Sequence, residues 1–432
     1  MRDKRRSSGE LFPTDSPIPA EQMIGRGDDV ERIAIALAGA TNLVIAGPRR
    51  TGKTSACDAA LELCAQEGCY VAAVDLFHKA DAVQLAQDLA LSALANRTAL
   101  RQAIERARGA PGKIAELLSM TVSLRARQDL GEDIEITWTP NQSRSDPGRA
   151  LLTALELPQR IASADHKRLV LFIDEFQEIA SGIFGDPDVL TRQLRAVLQR
   201  SPSVSVLFAG SMEHLIRDLF SPDDRALSQF GSFYELGPIT TEEWSDGIRD
   251  RLARDHCTIT PTALDRLLTV GEGHPRTTML IARESHAEAI HELAHELDDA
   301  IVRRGADRAL AAERLRHEQL LARIRAIGRF GQLIAQRVAL GAVLYDGIAP
   351  QTANRTLNSL NDLGVIAAGA RRGQWLVIDP LVQRYLQALP LEGPVIIQKR
   401  QTDRQRPSSK RKALRDAGAT EKTPPPPDNT RP

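Results

Sequence analysis

The segment VIAGPRRTGKTS, from Val44 to Ser55, constrains the fold of this chain more than any other stretch of its sequence. Residues 47–54 match the pattern G-x-x-x-x-G-K-[ST], in which glycines let successive backbone N–H groups point at one phosphate. The apolar residues 43–46 predict a short buried strand before the loop, and a helical segment closed by Gly68 follows it. Strand, loop and helix in this order predict an α/β fold with a parallel sheet and disfavour a chance glycine turn.

Two side chains of the loop have defined tasks in phosphate chemistry. Lys53 is expected to neutralise the β- and γ-phosphates of a nucleoside triphosphate, and Thr54 to ligate Mg²⁺. The predicted cofactors are therefore ATP and Mg²⁺. The loop residues expected to bind the nucleotide are Gly47, Pro48, Arg49, Arg50, Thr51, Gly52, Lys53, Thr54 and Ser55.

A second apolar run, in RLVLFIDEFQEIA from Arg168 to Ala180, ends in two acidic residues. Five consecutive apolar residues are typical of a strand buried on both faces of a parallel sheet. Asp174 is expected to hold Mg²⁺, directly or through water, and Glu175 to polarise the attacking water. An acidic turn after a core strand is the plainer alternative, which the phosphate-binding loop makes weaker. Glu175 and Lys53 are thus the predicted catalytic residues.

Three further segments predict the rest of the sheet, namely 70–76, 203–211 and 232–238. Strands that alternate with helical segments indicate right-handed crossovers, and ligands of such sheets bind at the carboxyl ends of the strands. Ser211 is therefore expected beside the γ-phosphate, although a plain turn serine fits the sequence as well.

The 432 residues leave room for two or three domains. No apolar run approaches a membrane span, and no apolar segment follows the basic first residues, so a cytoplasmic protein without membrane contact is expected. The cysteines lack a C-x-x-C pair and are expected to be reduced packing residues: Cys57, Cys64, Cys69 and Cys257.

The zero net charge is a sum of opposed regions. From Gln398 to Asp416 eight basic residues stand against two acidic ones, and residues 1–6 are basic too, so the part between them is acidic. The proline-rich end TPPPPDNTRP is too polar to form a core. A solubilising tail and a contact with the phosphate backbone of DNA are both open interpretations.

Beyond the two phosphate-site motifs, the chain resembles the AAA+ ATPases of the archaeal-type or STAND-related group, relatives of origin-recognition ATPases. The resemblance covers about residues 23–386. It rests further on MIGRGDDVERI (23–33), FAGSMEHL (208–215) and GEGHPRTTMLIA (271–282).

The resemblance implies roles for four residues outside the loop. Gly25 and Arg26 would lie beside the adenine, Ser211 would be the sensor-one residue, and Arg276 the sensor-two arginine on a helical lid. One departure concerns the arginine finger that the family often carries before the last strand. In DRALSQFGSFYELGP a phenylalanine, Phe230, stands near that place, so hydrolysis in trans and oligomerisation stay open.

The segment HELAH, from His291 to His295, matches the zinc-protease pattern H-E-x-x-H. No compelling third ligand follows, and apolar residues at helical spacing instead predict the packing face of an amphipathic helix with solvated histidines. The residues of that expected face are Ile290, Leu293, Ala294, Leu297 and Ile301.

The segment from Ala349 to Leu386 has the pattern of a helix, a turn at Gly364, a β-hairpin and a final helix, which is a winged-helix outline. Ala353, Leu357, Leu360 and Leu363 would face its core. Outward amide and arginine side chains can read DNA bases, and an arginine-tipped wing can hold a phosphate. The residues concerned are Gln351, Asn354, Arg355 and Asn358 on the helix, and Arg371, Arg372 and Gly373 at the hairpin.

Two hypotheses follow for the use of ATP. In one, the nucleotide state sets how the winged helix and tail engage duplex DNA; in the other, ATP controls contact with a protein partner. The expected division of the chain is a flexible basic segment (1–20), a P-loop α/β domain (21–238), a helical lid (239–315), a winged-helix domain (316–390) and a disordered basic, proline-rich tail (391–432).

Overall fold

The computed structural model describes residues 7–14, 17–48, 50–97, 147–221, 225–369, 371 and 373–390, and the backbone of 122–124 and 134–136. The predictions for Arg49, Arg372 and the tail 391–432 lie outside these residues. The strands are β1 (Leu43–Ala46), β2 (Tyr70–Asp75), β3 (Val122–Leu124), β4 (Ile134–Ile136), β5 (Leu169–Asp174), β6 (Val204–Gly210), β7 (Ser232–Phe233), β8 (Thr258–Ile259), β9 (Glu296–Leu297), β10 (Ile366–Ala368) and β11 (Trp375–Val377).

Helices make up most of the described chain. The α-helices are α1 (Ser8–Leu11), α2 (Gly27–Ala38), α3 (Lys53–Gln66), α4 (Ala82–Leu94), α5 (Pro147–Ala164), α6 (Pro187–Leu198), α7 (Glu213–Phe220), α8 (Thr241–Ala253), α9 (Pro261–Gly271), α10 (Pro275–His291), α11 (Asp299–Ala312), α12 (Arg314–Ala326), α13 (Gly331–Leu340), α14 (Pro350–Asp362) and α15 (Pro380–Ala388). Two 3₁₀ segments span Ala20–Gln22 and Phe176–Ser181. Within the described residues, no helix is long and apolar enough to cross a membrane.

The central sheet has the order β2-β5-β6-β1-β7, and all its neighbouring strands are parallel. The five predicted strands are therefore present. Only β7 is markedly shorter than expected, since it pairs at Ser232 and Phe233 and the chain then leaves the sheet. Beyond the strand, the Gly237 carbonyl accepts a hydrogen bond from Arg26 at 2.6 Å.

Helices cover both faces of this sheet, which explains the unbroken apolar run in β5. Leu169, Leu171 and Ile173 face a core shared with α4, α5 and α6, whereas Val170 and Phe172 face a core shared with α2 and α3. Because successive side chains point to opposite faces, each apolar residue of the strand is buried. The carboxyl ends of β1, β5 and β6 consequently meet at one edge, where the candidate site lies.

The region predicted to form a lid has a separate core made by α8 to α11, and the amino-terminal segment packs on it. Helix α1 begins with a capping box between Ser7 and Glu10, and Leu11 and Phe12 are buried in the lid core. Arg251 donates hydrogen bonds to the carbonyls of Leu11 and Gln22. The expectation of a flexible segment over 1–20 is therefore wrong for residues 7–14, because its apolar residues have a core to enter.

HELAH is not part of one helix, so the predicted packing face is wrong. Helix α10 ends at His291, and Leu293 has a left-handed backbone (φ 56°) and a side chain that is 80% exposed. Leu297 then lies in β9, which pairs with β8. His291 and His295 are solvent-exposed as expected, and the described residues hold no group of three or more metal-ligating His, Cys, Asp or Glu.

The carboxyl-terminal unit contains α12 to α15 and the antiparallel hairpin β10–β11. The predicted helix, turn, hairpin and final helix are all present, with Gly364 at φ 69°. Ala353, Leu357 and Leu360 are buried and Leu363 is partly buried. The predicted outward residues are exposed: Gln351, Asn354, Arg355 and Asn358. The four cysteines are free thiols, and Cys69 alone among them is partly exposed.

Candidate functional site

The loop between β1 and α3 reverses the chain with two left-handed residues. Gly52 has φ 86°, a conformation that glycine adopts without the penalty of a Cβ atom, and Arg50 has φ 69°. The N–H of Gly47 donates to the carbonyl of Gly210 at 3.3 Å, which fixes the start of the loop beside β6. Because α3 begins at Lys53, its unpaired N–H groups lie at the loop, where an anion is favoured.

Lys53 lies buried within the loop rather than in solvent. Its Nζ donates to the Pro48 carbonyl at 2.5 Å, and the Thr51 hydroxyl donates to the same carbonyl at 2.9 Å. The Ser55 hydroxyl accepts from the N–H of Ile18 at 2.9 Å, so the amino-terminal segment is joined to the loop helix. The Lys53 ammonium group is therefore held against the loop backbone at the Pro48 carbonyl.

A hydroxyl and a carboxylate meet at the end of β5. Thr54 Oγ1 donates to Asp174 Oδ2 at 3.0 Å, and the N–H of Glu175 donates to Asp174 Oδ1 at 2.8 Å. Burial raises the pKa of Asp174 above its usual range. Both side chains offer hard oxygen ligands, and Mg²⁺ in phosphate sites takes one or two such ligands from the protein. Thr54 and Asp174 thus fit the metal role predicted for them.

Glu175 is held by two polar side chains that converge on one of its oxygens. The residue has φ 49°, and its Oε2 accepts from Ser211 Oγ at 2.7 Å and from Gln177 Nε2 at 2.5 Å. A Cβ atom on Gly210 would lie 2.4 Å from Gln177 Oε1, so glycine there makes room for the amide. Gln177 has no sequence signal of its own, since its contact depends on the left-handed turn at Glu175.

Asp58 is a further acidic residue near Asp174, and the sequence prediction gave it no role. Burial, together with the nearby carboxylates of Asp174 and Glu62, raises the pKa of Asp58 to about 6. The residue lies one helical turn after Thr54 on α3, and that spacing was the available signal.

One cavity of about 490 Å³ brings the predicted phosphate-site residues together. Lys53, Thr54, Asp174, Glu175, Ser211 and Arg276 all line it. Its opposite wall comes from the amino-terminal segment, including Thr14, whose hydroxyl accepts from Arg283 at 2.6 Å. That wall had no motif, so its part in the site was not predicted.

Arg276 reaches the cavity from the start of α10. It makes a two-pronged ion pair with Glu313, whose oxygens lie 3.0 and 2.9 Å from its two terminal nitrogens. Arg316 donates to the same carboxylate at 2.5 Å. Glu313 lies 37 positions after Arg276, so only the folded lid brings the pair together.

A smaller cavity of about 40 Å³ adjoins the first, and both are lined by Gly52 and Met279. Trp244 and Arg26 also line the small cavity. Among the described residues, the buried Nε1–H of Trp244 and Nε–H of Arg26 have no hydrogen-bond partner. Gly25, predicted to lie beside the adenine, does not line this cavity. A Cβ atom on Gly25 would lie 2.5 Å from Ile239 Cγ2, and its φ of 63° suits glycine.

The segment before the last strand, where the family often carries an arginine finger, lines neither cavity with its described residues. Arg225 pairs with Asp188 at 3.1 Å on the exposed surface, and Phe230 packs against Phe208 with ring centroids 6.4 Å apart. Neither Arg225 nor Phe230 lines the cavity at the phosphate-binding loop.

Comparison with known proteins shows the fold. No protein-family model matches the sequence, and no curated protein matches it. The Walker-type ATPase paby2304 of Pyrococcus abyssi is similar in structure (TM-score 0.62, 14% identity), with 87% of this chain and 99% of that chain covered. The Aeropyrum pernix ORC2 protein, solved as ADPNP–ADP complexes, is also similar (TM-score 0.53, 16% identity, 89% and 98% covered). Together with the sheet order and the loop geometry, these likenesses show that the chain has the P-loop α/β fold of the AAA+ ATPases.

Proposed function

We propose that the protein is a Mg²⁺-dependent ATPase that acts as a nucleotide-controlled switch. The observation that carries this proposal is the meeting of Lys53, Thr54, Asp174, Glu175 and Ser211 around one cavity at the end of the sheet. Residues from the ends of β5 and β6 and from the start of α3 converge there, and each has the chemistry that its place in phosphoryl transfer needs.

Each of these residues has a separate role in hydrolysis. Lys53 binds the β- and γ-phosphates, and the N–H groups at the start of α3 bind phosphate oxygens. Thr54 and Asp174 would hold Mg²⁺, which supplies positive charge to the phosphates when bound. Glu175 accepts the proton of the attacking water through Oε1, because Ser211 and Gln177 already occupy Oε2.

We place the nucleobase at the small cavity, which must widen to admit a purine ring. Its apolar wall can stack on a purine ring, and the N–H groups of Trp244 and Arg26 are buried donors without a protein acceptor. The ring nitrogens of adenine are acceptors, so they would satisfy two donors that otherwise carry a desolvation cost.

Release of phosphate by the full chain tests the proposal directly. We expect ATP to be hydrolysed with Mg²⁺ and to stay intact when the metal is chelated. A parent protein that binds ATP in neither condition would show that the cavity serves another ligand.

For the carboxyl-terminal unit we propose a winged-helix domain that binds duplex DNA, as part of a chain divided near residues 238 and 315. The exposed amide and arginine face of α14 supports this proposal, because such side chains can read base edges: Gln351, Asn354, Arg355 and Asn358. A protein partner is the second candidate, since the same face can also accept hydrogen bonds from a protein. Binding to duplex DNA at low salt, measured with ATP, with ADP and without nucleotide, separates the two.

A further inference from the structure

Two arginines at the phosphate cavity are paired with carboxylates that lie outside the P-loop domain. Arg276 forms its two-pronged pair with Glu313, and both side chains are largely buried. Arg50, in the phosphate-binding loop, lies 3.9 Å from the carboxylate of Asp379. Both arginines line the cavity, so their positive charges face the place proposed for the phosphates.

Both carboxylates belong to the attachment of the carboxyl-terminal unit. Asp379 caps α15 by accepting from the N–H of Leu381 at 2.9 Å, and it accepts from the Thr277 hydroxyl of α10 at 3.0 Å. The Leu381 side chain is buried in the lid core. Glu313 stands directly between the last lid helix and α12, the first helix of the unit.

Each carboxylate also has a partner besides its arginine at the cavity. Glu313 keeps Arg316, and Asp379 keeps the Thr277 hydroxyl and its own helix N–H. If Arg276 or Arg50 pairs with another anion instead, neither carboxylate is left unpaired. This lowers the free-energy cost of exchanging the carboxylate for that anion.

We propose that Glu313 and Asp379 compete with the triphosphate for Arg276 and Arg50, so that ATP binding loosens the carboxyl-terminal unit from the lid. This inference rests on the proposed ATP site. A phosphate binds a guanidinium strongly and in the same two-pronged geometry as a carboxylate. Once the arginines turn to the phosphates, two carboxylates face a polyanion, and the repulsion weakens the contact that Asp379 and Leu381 make with the lid.

The test combines Glu313→Gln and Asp379→Asn in the full chain. Both changes remove a charge at nearly constant shape, and asparagine caps a helix about as well as aspartate. Glu318→Gln is the matched control, because its exposed pair with Arg314 lies on α12 away from the cavity. Calorimetry with Mg²⁺ gives the affinity for ATP and ADP, and hydrogen exchange over residues 380–388 reports the attachment of α15.

We expect the double variant to bind ATP about fivefold more tightly than the parent or the control, as the loss of two modest competing ion pairs implies. ADP affinity changes less. Without nucleotide, exchange over 380–388 rises in the double variant, and in the parent it rises when ATP is added.

Unchanged or weaker ATP binding by the double variant, with a parent that binds ATP normally, overturns the exchange and leaves the proposed ATPase intact. If neither the parent nor Glu318→Gln binds ATP, the proposed function fails and the exchange fails with it. Each single variant is measured as well, so that a folding defect in one does not conceal the effect of the other.

Discussion

The phosphate cavity and the predicted lid beside it differ in how their polar groups are satisfied. At the sheet edge, Thr54 is bonded to Asp174 and Ser211 to Glu175, so these side chains are held at short range by neighbours in the same domain. In the lid, Arg276 pairs with Glu313, which lies 37 positions later in the sequence. Trp244 has a buried N–H without a partner in the described chain. The first region is preorganised for chemistry, whereas the second retains polar groups that a ligand or a movement can engage.

The largest effect should come from breaking the preorganised region at Glu175. Replacement by Gln removes the proton acceptor but keeps the shape, so we expect hydrolysis to fall about 10²- to 10⁴-fold while ATP still binds. Steady-state phosphate release and nucleotide titration together measure the two effects. Glu178→Gln is the control, because Glu178 lies in the 3₁₀ segment that directly follows Glu175 and does not line the cavity. Parental turnover in Glu175→Gln would assign the base to another residue.

The same difference explains why the sequence predicts the phosphate site better than the lid. Asp174 and Glu175 follow one predictable strand, and Lys53 and Thr54 begin the helix after another. The parallel sheet therefore brings all four residues to the same edge. Gln177 was not predicted because its contact with Glu175 requires a left-handed turn, and no residue type in the sequence indicates that turn.

The lid was harder to predict because its contacts join distant parts of the chain. The Arg276–Glu313 pair and the burial of Phe12 in the lid core follow from packing rather than from a local pattern. The helical spacing of apolar residues around HELAH led to a wrong prediction of a packing face. Leu293 follows the end of α10 in a left-handed conformation and does not join a core. Apolar periodicity predicts a face only where the helix continues.

A smaller effect is expected from Arg276→Ala, which tests whether the lid contributes to phosphate binding. Arg276 should contact the γ-phosphate, so its loss should reduce the preference for ATP over ADP by about tenfold, as the removal of one charge-assisted bond implies. Binding of both nucleotides by calorimetry measures the ratio. Thermal unfolding checks that the lid still folds, and an unchanged ratio would place Arg276 outside the phosphate contacts.

Trp244→Phe tests the other lid group. It keeps an aromatic ring in the lid core but removes the N–H donor together with part of the buried ring volume. Loss of one ordinary hydrogen bond should lower ATP affinity about fivefold. Inorganic triphosphate, which has no base, is the control ligand and should bind the variant and the parent equally. An equal loss for both ligands would mean that Trp244 supports the fold rather than the base.

The smallest effect concerns His317, which lies where the lid meets the carboxyl-terminal unit. It is 1% exposed, packs on Tyr385 with ring centroids 5.1 Å apart, and neither ring nitrogen has a hydrogen-bond partner in the described chain. Burial lowers the pKa of His317 below its ordinary value of about 6.5, with nearby Asp379 and Glu313 opposing that shift.

The sign of the resulting pH dependence is fixed by this shift. Folding favours neutral His317, so its contribution is fully present above pH 6.5 and is lost as the pH falls, because the unfolded chain then binds a proton that the folded chain does not. Between the two pKa values the free energy of unfolding falls as the pH falls. Denaturant unfolding at pH 8 and pH 5.5 should therefore show a smaller loss of stability in His317→Phe than in the parent. His78→Phe, at an exposed histidine, is the control and should lose as much as the parent. Equal losses in all three proteins would mean that His317 takes up its proton as readily in the folded chain as in the unfolded one.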